Sequence, residues 1–199
     1  MLRMTDVVKS LLILNVIVFV FTAFINTDLM MRFALHYPTS PYFQPFQLVS
    51  HFFTHSGLTH ILFNMFALVI FGNALELMWG PKKFLTYYLV SAAGSAILHL
   101  TMAMVGIIDP VPAVGASGAI YGLLVAFAVK FPETKLMLLF LPFPIKAKYF
   151  VPGIVAIDLF VGFGGFNSPI AHFAHLGGAL FGFILLLIWG EMGRRKYNT

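Results

Sequence analysis

The stretch AVGASGAIYG, residues 113–122, decides the fold because it sets Ser117 between Gly115 and Gly118 in an otherwise apolar region. The apolar residues that follow end at Lys130, which lies about 20 Å from Ser117 at a helical rise of ~1.5 Å per residue. The hydrocarbon core of a bilayer is ~30 Å thick. The stretch therefore predicts a short helix that begins inside a membrane, with Ser117 about 10 Å below the outer surface.

The composition indicates an integral membrane protein. Of the 199 residues, 60% are apolar and 10% are charged, whereas soluble domains carry roughly 25% charged residues. Long apolar runs recur along the whole chain, so we expect an all-α, polytopic membrane protein that forms a single domain over residues 1–199. The chain has no cysteine, which excludes disulfides, thiolate zinc sites and a cysteine nucleophile. The net charge of +5 does not indicate nucleic-acid binding, because the basic residues stand in short groups between apolar runs.

Six apolar runs are candidate membrane spans. The predicted spans are 7–26, 58–79, 83–105, 116–130, 147–164 and 169–190. We interpret the first as a retained span, because its apolar run is too long for a signal peptide and no small-residue cleavage site follows it. The connection 27–57 contains prolines and many aromatic residues, and we expect it to lie partly in the membrane interface.

The basic residues predict an orientation, since Lys and Arg collect on the cytoplasmic side of a membrane protein. The six spans place all but Arg32 of the 12 Lys and Arg residues on one side. The residues on that side are Arg3, Lys9, Lys82, Lys83, Lys130, Lys135, Lys146, Lys148, Arg194, Arg195 and Lys196. We therefore expect a multi-pass protein of the inner cell membrane with both termini in the cytoplasm.

Polar side chains from three spans fall at one depth. His175 lies about 9 Å below the outer end of the sixth span, and Asn64 lies about 22 Å above the inner end of the second. Both are therefore level with Ser117, and His60 is one turn higher. Polar groups inside a bilayer are costly and usually functional, so this layer is the candidate site.

The layer can support nucleophilic catalysis. A lone serine more often serves as a contact between membrane helices. Together with a histidine at equal depth, however, it can become a nucleophile, because the imidazole accepts the hydroxyl proton. Ser117 and His175 are therefore the predicted catalytic pair.

An acyl-transfer site also needs hydrogen-bond donors for the oxyanion. In the sequence HILFN, His60 and Asn64 are four residues apart and share one helix face. The backbone beside Ser117, at Ala116 and Gly115, lies at the start of a helix and can supply further N–H groups. We expect these residues to bind the oxyanion and the substrate.

Two further features favour a close approach of the fourth and sixth spans. Tyr121 is four residues after the serine and can stack on the histidine ring. Gly178 and Gly182 lie at the next two turns below the histidine, and Gly118 and Gly122 form a similar stripe on the fourth span. Small residues at this spacing allow membrane helices to approach closely.

The motifs GASG, HILFN and AHLGG, taken in this order and in these spans, resemble the rhomboid family of intramembrane serine proteases, in its basic six-helix bacterial form. The resemblance covers essentially the whole chain. It implies that Ser117 is the nucleophile, that His175 is the general base and acid, and that His60 and Asn64 stabilise the oxyanion. It implies single-span transmembrane substrates cut near the outer end of their helix, with no cofactor and no metal.

Four other polar residues have alternative interpretations. We expect Asp158 to bond a neighbouring helix rather than to join the catalytic pair, because we place it in the inner half of the membrane. His51 and His55 are four apart and could ligate a metal, but interface anchoring is the favoured interpretation. His172 is expected near the loop that caps the site.

The remaining expectations concern the structure around the site. His99 is predicted to be structural, and His36 to be exposed. Glu76 is predicted to bond loop backbone near the cytoplasmic end. The glycine-rich segment GFGGFNSP, residues 162–169, is the candidate cap.

Two other function classes stay open. An inactive rhomboid-like protein that binds and escorts membrane proteins would share the fold, although it would be expected to lack the serine or the histidine. A small transporter would also place polar residues at mid-depth, but it usually needs broken helices in two matching halves. The sequence shows one short span and no repeat.

Overall fold

The computed structural model describes residues 4–137, 143–164 and 170–192. Over these ranges the chain is mostly helical, which confirms the all-α, polytopic architecture. The elements are α1 (Asp6–Val20), a π-helical turn (Phe21–Ile25), α2 (Asp28–Phe33), α3 (Gln47–Ser50), a 3₁₀ turn (His51–Phe53), α4 (Leu58–Ala67), a second π-helical turn (Leu68–Gly72), α5 (Asn73–Trp79), α6 (Pro81–Met104), α7 (Ser117–Lys130), β1 (Lys135–Leu136), β2 (Ile145–Lys146), α8 (Ala147–Phe163) and α9 (His172–Ile188).

Each predicted span corresponds to a helical segment. The π-helical turns extend α1 and join α4 to α5, so the first two spans are continuous helices at Asp6–Ile25 and Leu58–Trp79. These two and α6 are, among the described helices, the three that are long and apolar enough to cross a membrane, while α7 and α9 are shorter apolar helices. The sixth span was predicted to start at 169, which lies outside the described residues, and α9 begins at His172.

A small β-ladder connects the inner ends of α7 and α8, and the sequence did not predict it. The strands β1 and β2 run antiparallel, with Lys135 opposite Lys146. Glu133 forms ion pairs with Lys146 at 2.8 Å and with Lys148 at 2.7 Å. The turn therefore gathers several of the basic residues that were used to predict the orientation.

Helix α9 packs against α6 and α7 through glycines. A Cβ atom on Gly178 would lie 1.8 Å from the carbonyl oxygen of Gly118, and one on Gly182 would lie 3.1 Å from the Cα atom of Gly122. At such separations only hydrogen fits between the helices, so their backbones are in direct contact. The predicted stripes of small residues are thus the contact surfaces, and they fix the position of α9 relative to α7.

Helix α8 lies against another side of α9 and is held more loosely. It contains Pro152, which removes one helical hydrogen bond. Its side chains Ile157, Phe160 and Phe163 are 62%, 70% and 62% exposed, whereas Asp158 is buried. Most of the surface of α8 is therefore apolar and outward-facing, and the polar Asp158 is on the face toward α9.

The connection 27–57 is a folded segment organised around the buried side chain of Gln47. The amide nitrogen of Gln47 donates hydrogen bonds to the carbonyl oxygens of Arg32 at 3.0 Å and Tyr42 at 2.9 Å. Its amide oxygen accepts one from the N–H of Gln44 at 3.2 Å. These bonds hold α2 and α3 together above the transmembrane helices.

Three histidines of this connection are buried, which corrects the predictions made for them. His36 was predicted to be exposed, and His51 and His55 were predicted to anchor the chain in the interface. Their exposed fractions are 7%, 3% and 1%. His36 also donates a hydrogen bond from Nε2 to the carbonyl oxygen of Met31 at 2.8 Å. The predictions were wrong because the folded connection covers these side chains.

Glu76 has the structural role predicted for it. Its carboxylate accepts hydrogen bonds from the N–H groups of Val7 at 3.0 Å and Val8 at 2.9 Å. These N–H groups belong to the first turn of α1, where no intrahelical acceptor is available. Glu76 therefore fastens the N-terminus of α1 to the inner end of α5.

Candidate active site

Ser117 is the first residue of α7, and the turn before it requires glycine. Gly115 has a φ of +121°, a conformation that favours glycine, and its N–H donates a hydrogen bond to the carbonyl oxygen of His51 at 2.9 Å. A Cβ atom on Gly115 would lie 2.7 Å from Nε2 of His60. Glycine therefore permits the turn and also leaves room for the His60 ring beside Ser117.

Ser117 and His175 are joined by a hydrogen bond. The distance between Oγ of Ser117 and Nε2 of His175 is 2.9 Å. The ring of Tyr121 stacks on the imidazole, with ring centroids 4.3 Å apart and planes inclined by 15°. The glycine contacts between α7 and α9 set the distance, and the tyrosine sets the plane of the ring. The hydroxyl of Ser117 is thus hydrogen-bonded to an imidazole whose position and plane are both fixed.

Asp158 lies behind His175, contrary to its predicted depth. Its Oδ2 atom is 3.3 Å from Nδ1 of His175, on the side of the ring away from Ser117. Asp158 is about 17 Å above Ala147, the inner end of α8, at ~1.5 Å per residue. It is therefore in the outer half of the bundle, and the prediction of the inner half was wrong. Measuring depth from Ala147 would have found it.

The same carboxylate also contacts His172. Oδ1 of Asp158 is paired with Nδ1 of His172, and the hydroxyl of Tyr121 forms a further hydrogen bond with the carboxylate. His172 was expected near the capping segment 162–169, and it begins α9 shortly after that segment, one turn above His175. Most of the candidate cap, residues 165–169 of the segment 162–169, lies outside the described residues.

The contact with Asp158 determines which nitrogen of the neutral His175 ring carries the proton. A carboxylate accepts hydrogen bonds, so Nδ1 of His175 carries the proton that faces Asp158. Nε2 is then unprotonated in the neutral ring and accepts the hydrogen bond from the hydroxyl of Ser117. This is the tautomer that a general base at Nε2 requires.

The hydroxyl opens into a cavity of about 690 Å³. His60, Gly115, Ser117 and His175 all line it, together with residues of the connection 27–57. The Nδ1 atom of His60 forms a hydrogen bond with Oγ of Ser56 at 3.0 Å, which orients the ring. A substrate carbonyl group in this cavity would have access to the serine and to an imidazole N–H.

Asn64 and Ala116 are close to the cavity but are absent from the described residues that line it. Asn64 is 6% exposed, and one of its amide N–H groups donates to the carbonyl oxygen of His60 at 2.8 Å. Ala116 is 1% exposed and immediately precedes α7. Of the predicted donors, His60 is therefore in direct contact with the cavity, and Asn64 is bonded within its own helix.

Three further histidines are buried near the cavity. Burial lowers the pKa of His51 and of His55 to about 4 in each case; for His51, the hydrogen bond from its ring to Gln47 opposes the shift in part. Both rings are consequently neutral at ordinary pH. His99 is buried as predicted, and its Nε2 hydrogen bonds the carbonyl oxygen of Val111 at 3.1 Å.

Comparison with known proteins agrees with the motifs. A family model described as the Rhomboid domain matches residues 42–191. The bovine presenilin-associated rhomboid-like protein, mitochondrial, is 35% identical over 138 residues, which cover 65% of this chain and 34% of the relative. Rhomboid protein 1, mitochondrial, of Saccharomyces cerevisiae is 32% identical over 141 residues, which cover 68% of this chain and 39% of the relative. RHOMBOID-like protein 12, mitochondrial, of Arabidopsis thaliana is 29% identical over 207 residues, which cover 97% of this chain and 60% of the relative.

These relatives correct the predicted location. All three are eukaryotic proteins named as mitochondrial, so the prediction of the inner cell membrane, with both termini in the cytoplasm, is wrong. The aligned part of the chain spans about a third of the length of the bovine relative. The orientation inferred from Lys and Arg describes only which ends of the helices share a side.

Proposed function

Because the chain belongs to the rhomboid family, we propose that it is a serine endopeptidase that hydrolyses peptide bonds within a membrane. Its substrates are single-span transmembrane proteins, cut near the end of the helix that reaches the level of Ser117. The observation that carries the proposal is the 2.9 Å hydrogen bond between Ser117 and His175 at the wall of an open cavity. The reaction needs no cofactor.

The reaction begins when the substrate carbonyl group enters the cavity. Oγ of Ser117 attacks the carbonyl carbon while Nε2 of His175 takes the hydroxyl proton, and the carbonyl π electrons move onto oxygen. The C–N bond then breaks, and the imidazolium gives its proton to the leaving amine. Water attacks the remaining ester with the same base, which returns the proton to Ser117.

The oxyanion is stabilised by donors that already surround the serine. His60 lines the cavity, and the first N–H groups of α7 have no intrahelical acceptor. Asn64 joins them when its amide turns from the carbonyl oxygen of His60 toward the substrate. A single donor of this kind contributes about 10²-fold or more to turnover.

Asp158 acts as a positioning residue. Its carboxylate accepts a hydrogen bond from Nδ1 of His175 and thereby holds the base with Nε2 toward Ser117. When Nε2 gains a proton during attack, the negative charge of Asp158 also stabilises the imidazolium. We therefore extend the predicted serine–histidine pair to include a carboxylate from α8.

We place the protein in a mitochondrial membrane, on the basis of the relatives' names. An inactive membrane-protein binder is the competing function, since several relatives are named rhomboid-like. Such a binder would retain its affinity for a substrate helix without cutting it. Cleavage itself is therefore the decisive measurement.

The test is cleavage of a single-span model substrate by the purified protein in liposomes. Ser117→Ala should abolish product formation, with the thermal unfolding midpoint unchanged. The matched control is Ser91→Ala, a buried serine on α6 that does not line the cavity among the described residues, and it should retain activity. Cleavage that persists in Ser117→Ala would refute the proposed nucleophile.

A further inference from the structure

Three metal-ligand side chains meet behind the proposed active site. Asp158, His172 and His175 bring a carboxylate oxygen and two imidazole nitrogens within 4.8 Å of one another. Among the residues that the structure describes, this is the one group of at least three His, Cys, Asp or Glu side chains gathered so closely. His51 and His55, the pair that the sequence offered as metal ligands, do not belong to it.

The donor set and its size suit zinc. Two histidines and one carboxylate, with a water in the fourth position, are a typical ligand set for Zn²⁺ at about 2.0–2.2 Å. Donor atoms around a tetrahedral zinc ion are about 3.3 Å apart. The distance from Asp158 Oδ2 to His175 Nδ1 is 3.3 Å, which matches that spacing, and the three ligand atoms all lie within 4.8 Å of one another.

The charge and the surroundings of the group also favour a dication. With both rings neutral, the three side chains carry one negative charge. The exposed fractions of the His172, His175 and Asp158 side chains are 11%, 13% and 6%. The site is therefore nearly enclosed.

We propose that Asp158, His172 and His175 form a zinc site whose occupation inhibits the enzyme. Binding of zinc depends only on these three side chains, whereas the inhibition rests on the proposed protease function. The site overlaps the active centre through His175 and its positioning residue Asp158, whereas His172 has no place in the proposed reaction.

The inhibition follows from the opposite roles of the two nitrogens of the His175 ring, Nδ1 toward the zinc site and Nε2 toward Ser117. Zinc binds Nδ1 through its lone pair, so the proton that Nδ1 carried must leave, and the neutral ring then carries its proton on Nε2. That nitrogen is 2.9 Å from the hydroxyl oxygen of Ser117. An Nε2–H group cannot accept the hydroxyl proton, so the serine loses its base. Asp158 is withdrawn from the imidazole at the same time, because its carboxylate coordinates the ion.

The first experiment measures binding without activity. Untagged, full-length Ser117→Ala protein in detergent is titrated with ZnCl₂ by calorimetry and with CoCl₂ by visible absorption, which reports tetrahedral coordination. The absence of cysteine removes thiolates as competing ligands. We expect one ion per chain and at least a tenfold loss of affinity when His172→Ala is added. His36→Ala, a change of a buried histidine outside the group, should leave the affinity unchanged.

The second experiment measures inhibition in the active protein. Zinc should suppress cleavage by the wild type, and EDTA should restore it. Each variant is compared with its own zinc-free rate, and His172→Gln should raise the half-inhibitory zinc concentration at least tenfold. Wild-type and His172→Gln proteins with equal zinc affinity would overturn the site, whether or not either protein cleaves a substrate. Stoichiometric binding in a protein without activity would support the site and count against the protease.

Discussion

Helices α7 and α8 both deliver a side chain to His175 on α9, but they are held against α9 in different ways. On the side of α7, a Cβ atom at Gly178 would be 1.8 Å from the carbonyl oxygen of Gly118, so the two backbones touch. On the side of α8, a Cβ atom at Gly162 would meet only side chains of α9, the nearest being the ring of Phe173 at 3.2 Å. The serine is thus positioned by backbone contact, and the carboxylate by side-chain contact alone.

The difference matches the tolerance of the proposed chemistry. Bond formation at Ser117 requires the reacting atoms to be placed to within a fraction of an ångström. Asp158 supplies orientation and charge, which fall off more gradually with distance. A loosely held α8 can therefore shift during substrate binding without moving the serine relative to its base. The following predictions test whether the two sides differ as described.

The largest effect is expected from Gly178→Ala. The added methyl group would collide with the backbone of Gly118 and push α9 away from α7, at an overpacking cost of about 1–3 kcal/mol in the free energy of unfolding. A displacement of about 1 Å between the reacting groups lowers turnover by about 10²-fold. Gly162→Ala on α8 is the matched control: its methyl group would meet only side chains of α9, so most of the activity should remain. Equal losses in both variants would remove the distinction between the two sides.

A smaller effect is expected from Asp158→Asn. The neutral amide is a poorer acceptor for Nδ1 of His175, and loss of one hydrogen bond to a charged group costs about 1.5 kcal/mol, or roughly tenfold in rate. We expect kcat to fall while KM and the unfolding midpoint stay near their wild-type values. A change in KM alone would assign Asp158 to substrate binding instead.

Burial keeps two histidines of the connection 27–57, His51 and His55, neutral. The pKa of both His51 and His55 is lowered to about 4 in the folded protein, below the ordinary value of about 6.5. Between these values the unfolded chain binds more protons, so stability is complete above pH 6.5 and is lost as the pH falls toward 4. From pH 7 to pH 6 the two residues together should remove about 1.4 kcal/mol from the free energy of unfolding.

Unfolding midpoints in detergent across that pH range would measure this loss. His55→Gln should reduce the pH dependence by about half, since His51 continues to titrate. A pH dependence equal to that of the wild type would show that His55 is already protonated or solvated in the folded protein.

The smallest effect is expected from Tyr121→Phe. The phenylalanine ring can still stack on His175, but its hydrogen bond to Asp158 is lost, so turnover should fall only a few-fold. Tyr121→Ala removes the stacking as well and should lose about 0.5–1.5 kcal/mol more of transition-state stabilisation. If both variants were equally impaired, the hydrogen bond would matter and the stacking would not.

The apolar periodicity was sufficient to predict the helices and their small-residue contacts, because span length and close packing are local properties of the sequence. The fourth span was predicted at 116–130, and α7 covers Ser117–Lys130. Counting helix rise from the ends of the spans also predicted that Ser117 and His175 lie at the same depth, because that count too uses only local sequence. In contrast, Asp158 was misplaced because its depth was not counted from the inner end of its own helix.

The connection 27–57 shows where the sequence was insufficient. The burial of Gln47 and of three histidines depends on hydrogen bonds between residues far apart in the segment, and no periodic pattern marks such bonds. The convergence of His172 and His175 on Asp158 likewise depends on how α8 sits against α9. Such contacts between elements are tertiary, and spacing along the chain does not determine them.

The most direct test of the central claim is labelling by a serine-reactive fluorophosphonate, followed by mass spectrometry of the modified peptide. Wild-type protein should be labelled at Ser117, and both Ser117→Ala and His175→Ala should lose the label, while Ser91→Ala should keep it. These results would establish a hydroxyl activated by the imidazole 2.9 Å away. A folded wild-type protein that takes no label, or one labelled equally after His175→Ala, would contradict the account.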